Sequence, residues 1–485
     1  MGEVSLGGRD SMENQRDIPC SGDLMQLVPD DVLAEIFQAG TSGSSGISDS
    51  SICRYAVDDL PVLPFPHLVS SVNRRWRDVA LCSPHLWTTI VFNCNRTTSN
   101  HEGPSLWIER SRVCLLDITI AITLWGSPSN VKSAMDQIMP HTSRWRRFTV
   151  DCLSRNMIET VIARLRPASV PHLRDFMTIS YDDNLAYIRT TDVTTRVCDR
   201  IFTGGAASLT EARLIGPYHI YTPPLTGVTY LQLGGSYRAN KIITITANRL
   251  RDLLTASPFL NDLVLQHLDV IFPLNTSVSN IQIPSLRSLT MSFSYRASEF
   301  WKLFSILSLP ELETLILAHI SQLGVPCIDI GPQSYATVTA LRLVRCGRIQ
   351  HSLAESLYSS FPSIIHLELT ESSELVEEYL LRNNSDLAVI WPHLKTITIS
   401  SRMEYKTICD FIDNRREMGH PLGTINVWSR IRRKIEVLKL DDEFKLNFQY
   451  PTGLKSAMKE VEDEEYKERR KEAYIISGDF ETESD

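Results

Sequence analysis

The chain has 485 residues, 43% hydrophobic and 22% charged, with a formal net charge of −8; that length allows two or three domains or one long repeat array. The acidic balance argues against a general nucleic-acid binder. The longest apolar stretch, "VCLLDITIAITLWG" (113–126), is too short to span a bilayer and carries Asp117. Ten cysteines without a C-x-x-C pair, and no apolar leader, point to reduced thiols in the cytoplasm or nucleus.

Residues 1–23 carry no periodic pattern and read as a disordered start. The first element is "DLMQLVPDDVLAEIFQAG" (23–40). Pro29 pre-sets a helix start, Asp30 and Asp31 favour its positive end, and Val32, Leu33, Ile36 and Phe37 form an apolar stripe. "GTSGSSGISDSS" (40–51) then reads as part of a flexible insert covering 40–62. Helical spacing resumes in "FPHLVSSVNRRWRDVAL", where Leu68, Val69, Val72, Trp76 and Val79 fall on one face. The whole segment, 24–92, has too few apolar residues for an independent core, which suggests that it borrows a partner. A linker is expected over 93–105.

From there to about residue 440 a six-residue pattern recurs, apolar-x-x-apolar-x-apolar. It reads "VTYLQL" at 228, "LNDLVL" at 260, "LRSLTM" at 286, "LETLIL" at 312, "VTALRL" at 338, "IIHLEL" at 364, "LKTITI" at 394 and "LGTINV" at 422. Looser copies stand at 115, 145, 173 and 209. Offsets of 26 recur three times in succession from 286. Period-two alternation is a strand signature. Between copies lie segments of helical period: "SEFWKLFSIL" with Phe300, Leu303, Phe304 and Leu307, "ELVEEYLLRN" with Leu375, Val376, Tyr379 and Leu380, and "YKTICDFIDN" with Ile408, Phe411 and Ile412. Strand and helix alternating at about 26 residues give an α/β class with a parallel sheet of right-handed turns. A doubly wound α/β domain is the other candidate, but no Gly-rich phosphate loop follows any strand.

The tail, 441–485, ends in "KEVEDEEYKERRKEAYIISGDFETESD" and reads as a charged, fraying end. No H-E-x-x-H, G-x-S-x-G, P-loop or kinase pattern occurs, and the twelve histidines lack ligand spacing. The chain therefore reads as no enzyme, with no cofactor and no metal site. Cys346 is expected as a buried turn thiol rather than a nucleophile.

Two resemblances follow from these residues. The 26-residue pattern is similar to leucine-rich repeats, which implies a horseshoe solenoid with its parallel sheet concave and its helices convex; "LRLVRC" places Cys346 at the family's turn position. "LVPDDVLAEIF" with "LVSSVNRRWRDVALCSPHLW" resembles the F-box, in the F-box-like form of fungal proteins with leucine-rich repeats. Its opening maps onto Val28, Pro29, Asp31, Leu33, Ile36 and Phe37, its middle onto Val72, Asn73, Trp76 and Arg77, and its close onto Pro84, Leu86 and Trp87. Val28, Asp31, Asn73 and the insert depart from the family pattern. The resemblance implies a small all-α domain that docks on a Skp-type adaptor, and through it on a cullin–RING ubiquitin ligase, by way of Pro29, Leu33, Ile36, Phe37, Val69, Val72 and Trp76. The outward face of the sheet would hold an unknown protein substrate through Thr290, Thr314, Ile316, Arg342, His366, Glu368, Thr396 and Trp428, with no nucleic acid and no membrane involved. The alternative is a leucine-rich scaffold with no ligase role, its F-box-like segment serving as a cap.

Overall fold

The computed structural model describes residues 28–44, 64–94, 102–122, 126–152, 155–180, 199–216, 221–235, 243–272, 280–292, 303–319, 335–346, 357–370, 390–399, 405–427 and 445–446. These fall into two units that meet in the sequence at Trp87 and Thr88.

Three helices make the first unit: α1 (Asp30–Ser44), α2 (Phe65–Val72) and α3 (Arg74–Cys82), closed by a 3₁₀ turn at Pro84–Trp87. Leu33 donates its N–H to Pro29 O (3.0 Å) at the start of α1. Two aspartates in the first turn oppose the positive end of the helix. The helix runs to Ser44, so the first residues assigned to the flexible insert are helical; the rest of the insert lies outside the described residues. The apolar spacing over 65–81 reads as one helix, but the chain breaks at Asn73. That residue is extended (φ −158°, ψ 176°), and its side chain accepts the N–H of Trp76 at 2.8 Å. Asparagine at an N-cap satisfies a donor that an unbroken helix would have bonded internally, so the cap competes with continuation.

Leu33, Phe37, Val69, Val79, Ala80, Leu86 and Trp87 fill the core of this unit. Phe37 and Trp76 meet at 5.0 Å between ring centroids. Trp87 is wholly buried, and its indole N–H donates to Ala80 O (2.9 Å). At Gly40 of α1 the ring of Phe65, the first residue of α2, leaves no space for a side chain: a Cβ would stand 2.3 Å from Phe65 Cζ. Gly40→Ala is therefore expected to lower stability by about 1–2 kcal/mol, because overpacking outweighs the gain in helix propensity. Gly103→Ala, with nothing within 4 Å of the added Cβ, should be neutral or slightly stabilising. Thermal melts of the two variants would show opposite signs; equal shifts would contradict the close approach.

The second unit is an α/β array. In chain order its strands are β1 (Thr89–Asn93), β2 (Leu116–Ile122), β3 (Trp145–Cys152), β4 (Asp175–Ser180), β5 (Asp199–Arg200), β6 (Glu211–Ile215) and β7 (Tyr221–Thr222). They continue as β8 (Tyr230–Gly234), β9 (Ile243–Thr246), β10 (Asp262–Gln266), β11 (Leu268–Ile271), β12 (Ile281–Gln282), β13 (Ser288–Ser292) and β14 (Leu307–Ser308). The last are β15 (Thr314–Ala318), β16 (Ala340–Val344), β17 (His366–Thr370), β18 (Thr396–Ile399), β19 (Thr424–Val427) and β20 (Lys445–Leu446). Fourteen form one sheet in the order β1-β2-β3-β4-β6-β8-β10-β13-β15-β16-β17-β18-β19-β20. Every described pair is parallel, and each strand lies beside its successor in the array. The remaining strands pair two by two as β5–β7, β9–β11 and β12–β14.

The register aligns the repeats. One row runs Thr89, Asp117, Arg147, Asp175, Glu211, Tyr230, Asp262, Ser288, Thr314, Ala340, His366, Thr396, Thr424 and Lys445. In every copy of the six-residue pattern, loose or strict, this row is the third residue. A further copy, "WTTIVF" at 87, places Thr89 in the same row. The sheet thus starts inside the segment read as 24–92 rather than at 106. Helix α4 (Glu102–Arg110) begins within the expected linker, and β20 carries the sheet past 440 into the expected tail.

Flanking the row, Ile118, Phe148, Phe176, Ala212, Leu231, Leu263, Leu289, Leu315, Leu341, Leu367 and Ile397 point inward and are buried. Each contributes roughly 1.5–3 kcal/mol by leaving water, Ala212 less. Behind β2 and β3 stand α5 (Pro128–Ile138) and α6 (Arg155–Leu165). Further along, the helix Ala247–Thr255 is capped by Thr246, whose hydroxyl accepts from Arg249 N (3.2 Å). The helix Tyr405–Glu417 buries Ile408, Phe411 and Ile412 as the spacing implies. In "SEFWKLFSIL", Leu303, Phe304 and Leu307 are buried, but Leu307–Ser308 is the strand β14. "ELVEEYLLRN" lies outside the described residues.

A Pro-x-Leu turn leads into several strands. Leu173, Leu260, Leu286, Leu312 and Leu394 donate to Val170, Ser257, Ile283, Leu309 and Trp391, three residues back, at 3.0–3.3 Å. Pro171, Pro258, Pro284, Pro310 and Pro392 occupy the second turn position, where fixed φ suits them. After the strand the chain turns through left-handed backbone at His267, His319 and Arg345 (φ 46°, 54° and 49°). Their N–H groups donate to Ser292, Val344 and Thr370 on the next strand (2.9, 2.9 and 2.8 Å). Cys346, one residue further, is buried, and its thiol lies 3.5 Å from Leu317 O.

Candidate functional site

Two surfaces carry the residues singled out from the sequence, one on each unit. On the helical unit, Leu33, Phe37 and Val69 face inward among their own helices, so a direct contact role does not fit them. Trp76 is half-buried against Phe37, and Pro29 is exposed. Ile36 and Val72 stand open at 47% and 57% exposure. They are joined by Val32 and Leu68, each 44% exposed, which the sequence reading had not assigned to the surface. Each lies four residues before its neighbour, on the same side of its helix, so i,i+4 spacing was the available signal. Arg75 is held by Asp30 (Nη2–Oδ1 2.6 Å) and by Val28 O, which ties α3 to the start of α1.

On the sheet, the outward positions alternate with the buried rows. Thr290, Thr314, Ile316, Arg342 and Thr396 are partly open, and His366 is exposed. Glu368 is 9% exposed; Ser292 and Val344, at the strand ends, are closed off. Trp428 lies outside the described residues.

The outward face divides by charge. From β2 to β8 it is an ionic lattice. Arg146 holds Asp117 with two bonds of 2.8 Å, which raises its pKa further. Arg147 donates to Asp175 (2.8 Å). Arg213 shares that carboxylate (3.1 Å), reaches Glu211 (2.8 Å) and lies over the Tyr230 ring at 5.2 Å. From β8 onward the face turns to amides and hydroxyls: Gln232 donates to Gln266 (2.8 Å), and Asn426 to Thr398 (3.0 Å). Within it stands an ion pair, Arg342 Nε to Glu368 Oε2 at 3.4 Å, with the Thr370 hydroxyl on the other carboxylate oxygen at 3.1 Å; a second, Arg287 to Glu313 at 2.8 Å, lies at the entry to the strands.

Among the described residues no group of three or more His, Cys, Asp or Glu is placed to hold a metal, and no helix is long and apolar enough to cross a membrane. Cys82, Cys94, Cys114, Cys152 and Cys346 form no disulfide, and burial pushes the Cys94 thiol up to about 12.

The class these features define is a mixed α/β chain whose main body is one large parallel sheet laid down in chain order. No protein-family model matches the sequence, and no curated protein does either. Among solved structures, the chain is similar to a Bacteroides fragilis protein determined as a structural-genomics target, at 13% identity and a TM-score of 0.29, covering 66% of this chain and 76% of that one.

Proposed function

We propose that this chain is an F-box protein with C-terminal leucine-rich repeats, the substrate-receptor subunit of a Skp–cullin–F-box type ubiquitin ligase. The observation that carries the reading is the pair of exposed apolar steps, Val32–Ile36 and Leu68–Val72, on a three-helix unit that keeps a core of its own. Four aliphatic side chains left in water on one small helical unit suit a partner surface. The repeat spacing of the sheet supports the second half of the reading, a broad face for a protein substrate. The receptor itself performs no bond chemistry. It raises the effective concentration of its substrate near the ubiquitin-charged enzyme.

The test is co-purification with a Skp-type adaptor. Ile36→Asp with Val72→Asp is expected to weaken adaptor binding by more than about 2 kcal/mol while the melting profile is kept, since both side chains are already in water. Trp76→Ala is the poorer probe, because it also removes the contact with Phe37. Absence of adaptor binding by the folded parent chain would leave the scaffold reading, with the helical unit as a cap.

A further inference from the structure

Where the face turns to amides and hydroxyls, β8, β10 and β13 enclose a small apolar floor. Val264 stands half-open at the centre of β10, with Asp262 and Gln266 on either side of it along the strand. Across from it stand Gln232 on β8 and Thr290 on β13. Strand geometry puts about 7 Å between Val264 and its neighbours along the strand, and about 5 Å between it and those across. The polar side chains around this floor are oriented by one another. Tyr230 donates its hydroxyl to Gln232 (3.3 Å), Gln232 donates its amide to Gln266 (2.8 Å), and Asn261 donates to one carboxylate oxygen of Asp262 (2.8 Å).

What these bonds leave unused is a mixed set of donors and acceptors. Gln266 Nε2, Asp262 Oδ1 and the Thr290 hydroxyl make no hydrogen bond to any described residue. Asp262 carries the one formal charge among the outward positions of the three strands. Arg213, one strand further on β6, is spent on two carboxylates and the Tyr230 ring. An anion would therefore meet a carboxylate with no cation to balance it. A purely aliphatic group would strand the amide and the hydroxyl. A pyranose ring suits both features: C–H bonds cover its face, and its edge carries hydroxyls that each donate and accept. The carboxylate strengthens such contacts, because a hydroxyl that donates to it makes a charge-assisted bond.

We propose that β8, β10 and β13 bind a neutral saccharide, one pyranose ring resting on Val264 with its hydroxyls bonded to Asp262, Gln266 and Thr290. This names a ligand class for the substrate-receptor reading and rests on the sheet face being the ligand surface. A glycan carried by a protein and a free oligosaccharide offer these residues the same chemistry, and the test separates the two.

The experiment titrates the full chain into fluorescently labelled neutral oligosaccharides (glucose, mannose, galactose and N-acetylglucosamine oligomers), into their sulfated counterparts, and into one peptide with and without a neutral N-linked glycan. Saturable binding of at least one neutral sugar is expected. Asp262→Ala, Gln266→Ala or Thr290→Val should each weaken it about five- to tenfold, and Thr396→Val on β18 should leave it unchanged. The three substituted side chains are already partly in water, so the melting profile should be kept. Tighter binding of the glycopeptide than of the free glycan assigns the seat to a glycosylated protein, and equal or weaker binding assigns it to the sugar alone; both support the proposal. Binding of no neutral sugar, equal affinity in the three variants and the parent, a preference for the sulfated sugars, or equal binding of the bare peptide would overturn it. The same preparations are passed over a Skp-type adaptor. Adaptor binding without sugar binding overturns the saccharide seat alone; sugar binding without adaptor binding supports the seat and overturns the ligase reading.

Discussion

Replacing Arg415 by methionine should cost about 3–5 kcal/mol in the stability of the segment around 390–427. Arg415 is 1% exposed and sits in the last turn of the helix Tyr405–Glu417. Its guanidinium donates to Ile390 O (2.9 Å), Trp391 O (3.1 Å) and His420 O (3.2 Å), and it lies 5.7 Å from the Phe411 ring. Three carbonyls thus converge on one cation, which joins the helix end to the turn that precedes β18. Methionine keeps most of the volume and satisfies none of them, and buried carbonyls without donors are costly. Arg415→Lys should recover less than half of the loss, because a single ammonium cannot reach acceptors spread around a fork. Local opening in a repeat array need not unfold the whole, so hydrogen exchange over 390–427 is the appropriate measurement. Unchanged protection in the methionine variant would show that water replaces the guanidinium without penalty.

The second large effect is a loss of stability in acid. His267 and His319 each have a pKa lowered to about 4. Burial is the cause at His267; at His319 burial is joined by the positive Arg345 and by His267 itself. A histidine whose folded pKa lies below its unfolded value of about 6.5 stabilises the fold fully above that value, and loses the contribution as pH falls toward 4. The window is therefore about pH 6.5 to 4, and each group contributes on the order of 2–3 kcal/mol at neutral pH. Carboxylates also titrate near its lower end, so the parent profile alone would not isolate the effect. His267→Asn with His319→Asn removes both imidazoles while suiting the left-handed backbone at these positions. The double variant should show a distinctly flatter fall in melting temperature between pH 6.5 and 4.5. A slope parallel to that of the parent would mean that neither histidine is held neutral by its surroundings.

The strands were legible because period-two alternation and burial coincide: among the described side chains each apolar position of the strict repeats points into the core, and the third residue of every copy falls on one row of the register. The copy at 87 escaped because Trp87 and Leu86 were already assigned to the closing turn of the helical unit, although Ile90 and Phe92 alternate as in every other copy. Helix boundaries were less legible. Apolar spacing continues through Asn73 because α2 and α3 serve the same core, and spacing alone does not reveal a side chain that caps. The same limit applies to the apolar surface. Leu33 and Phe37 are buried while Ile36 is open, yet all three are apolar at helical spacing, so composition could not say which side faces water. The pair Arg342 and Glu368 was within reach: the two residues are 26 apart, one period, and therefore face each other across adjacent strands. The ionic lattice of β2 to β8 was hidden by irregular spacing, since Arg147 meets Asp175 but Asp175 must cross 36 residues to reach Glu211.

That irregular spacing has a further meaning. The register keeps every copy on the same row although the connections between rungs span 19 residues from Glu211 to Tyr230 and 36 from Asp175 to Glu211. Length between rungs is thus free to drift, while phase within a rung is not. A ten-residue insertion after Gly216 would lengthen one excursion and leave the ladder in frame. A single residue added between Leu341 and Leu343 would turn one of that rung's two leucines to the opposite face of the sheet and break its alignment with both neighbours. Such a chain can diversify in its loops at little thermodynamic cost, provided that the six-residue pattern is inherited intact.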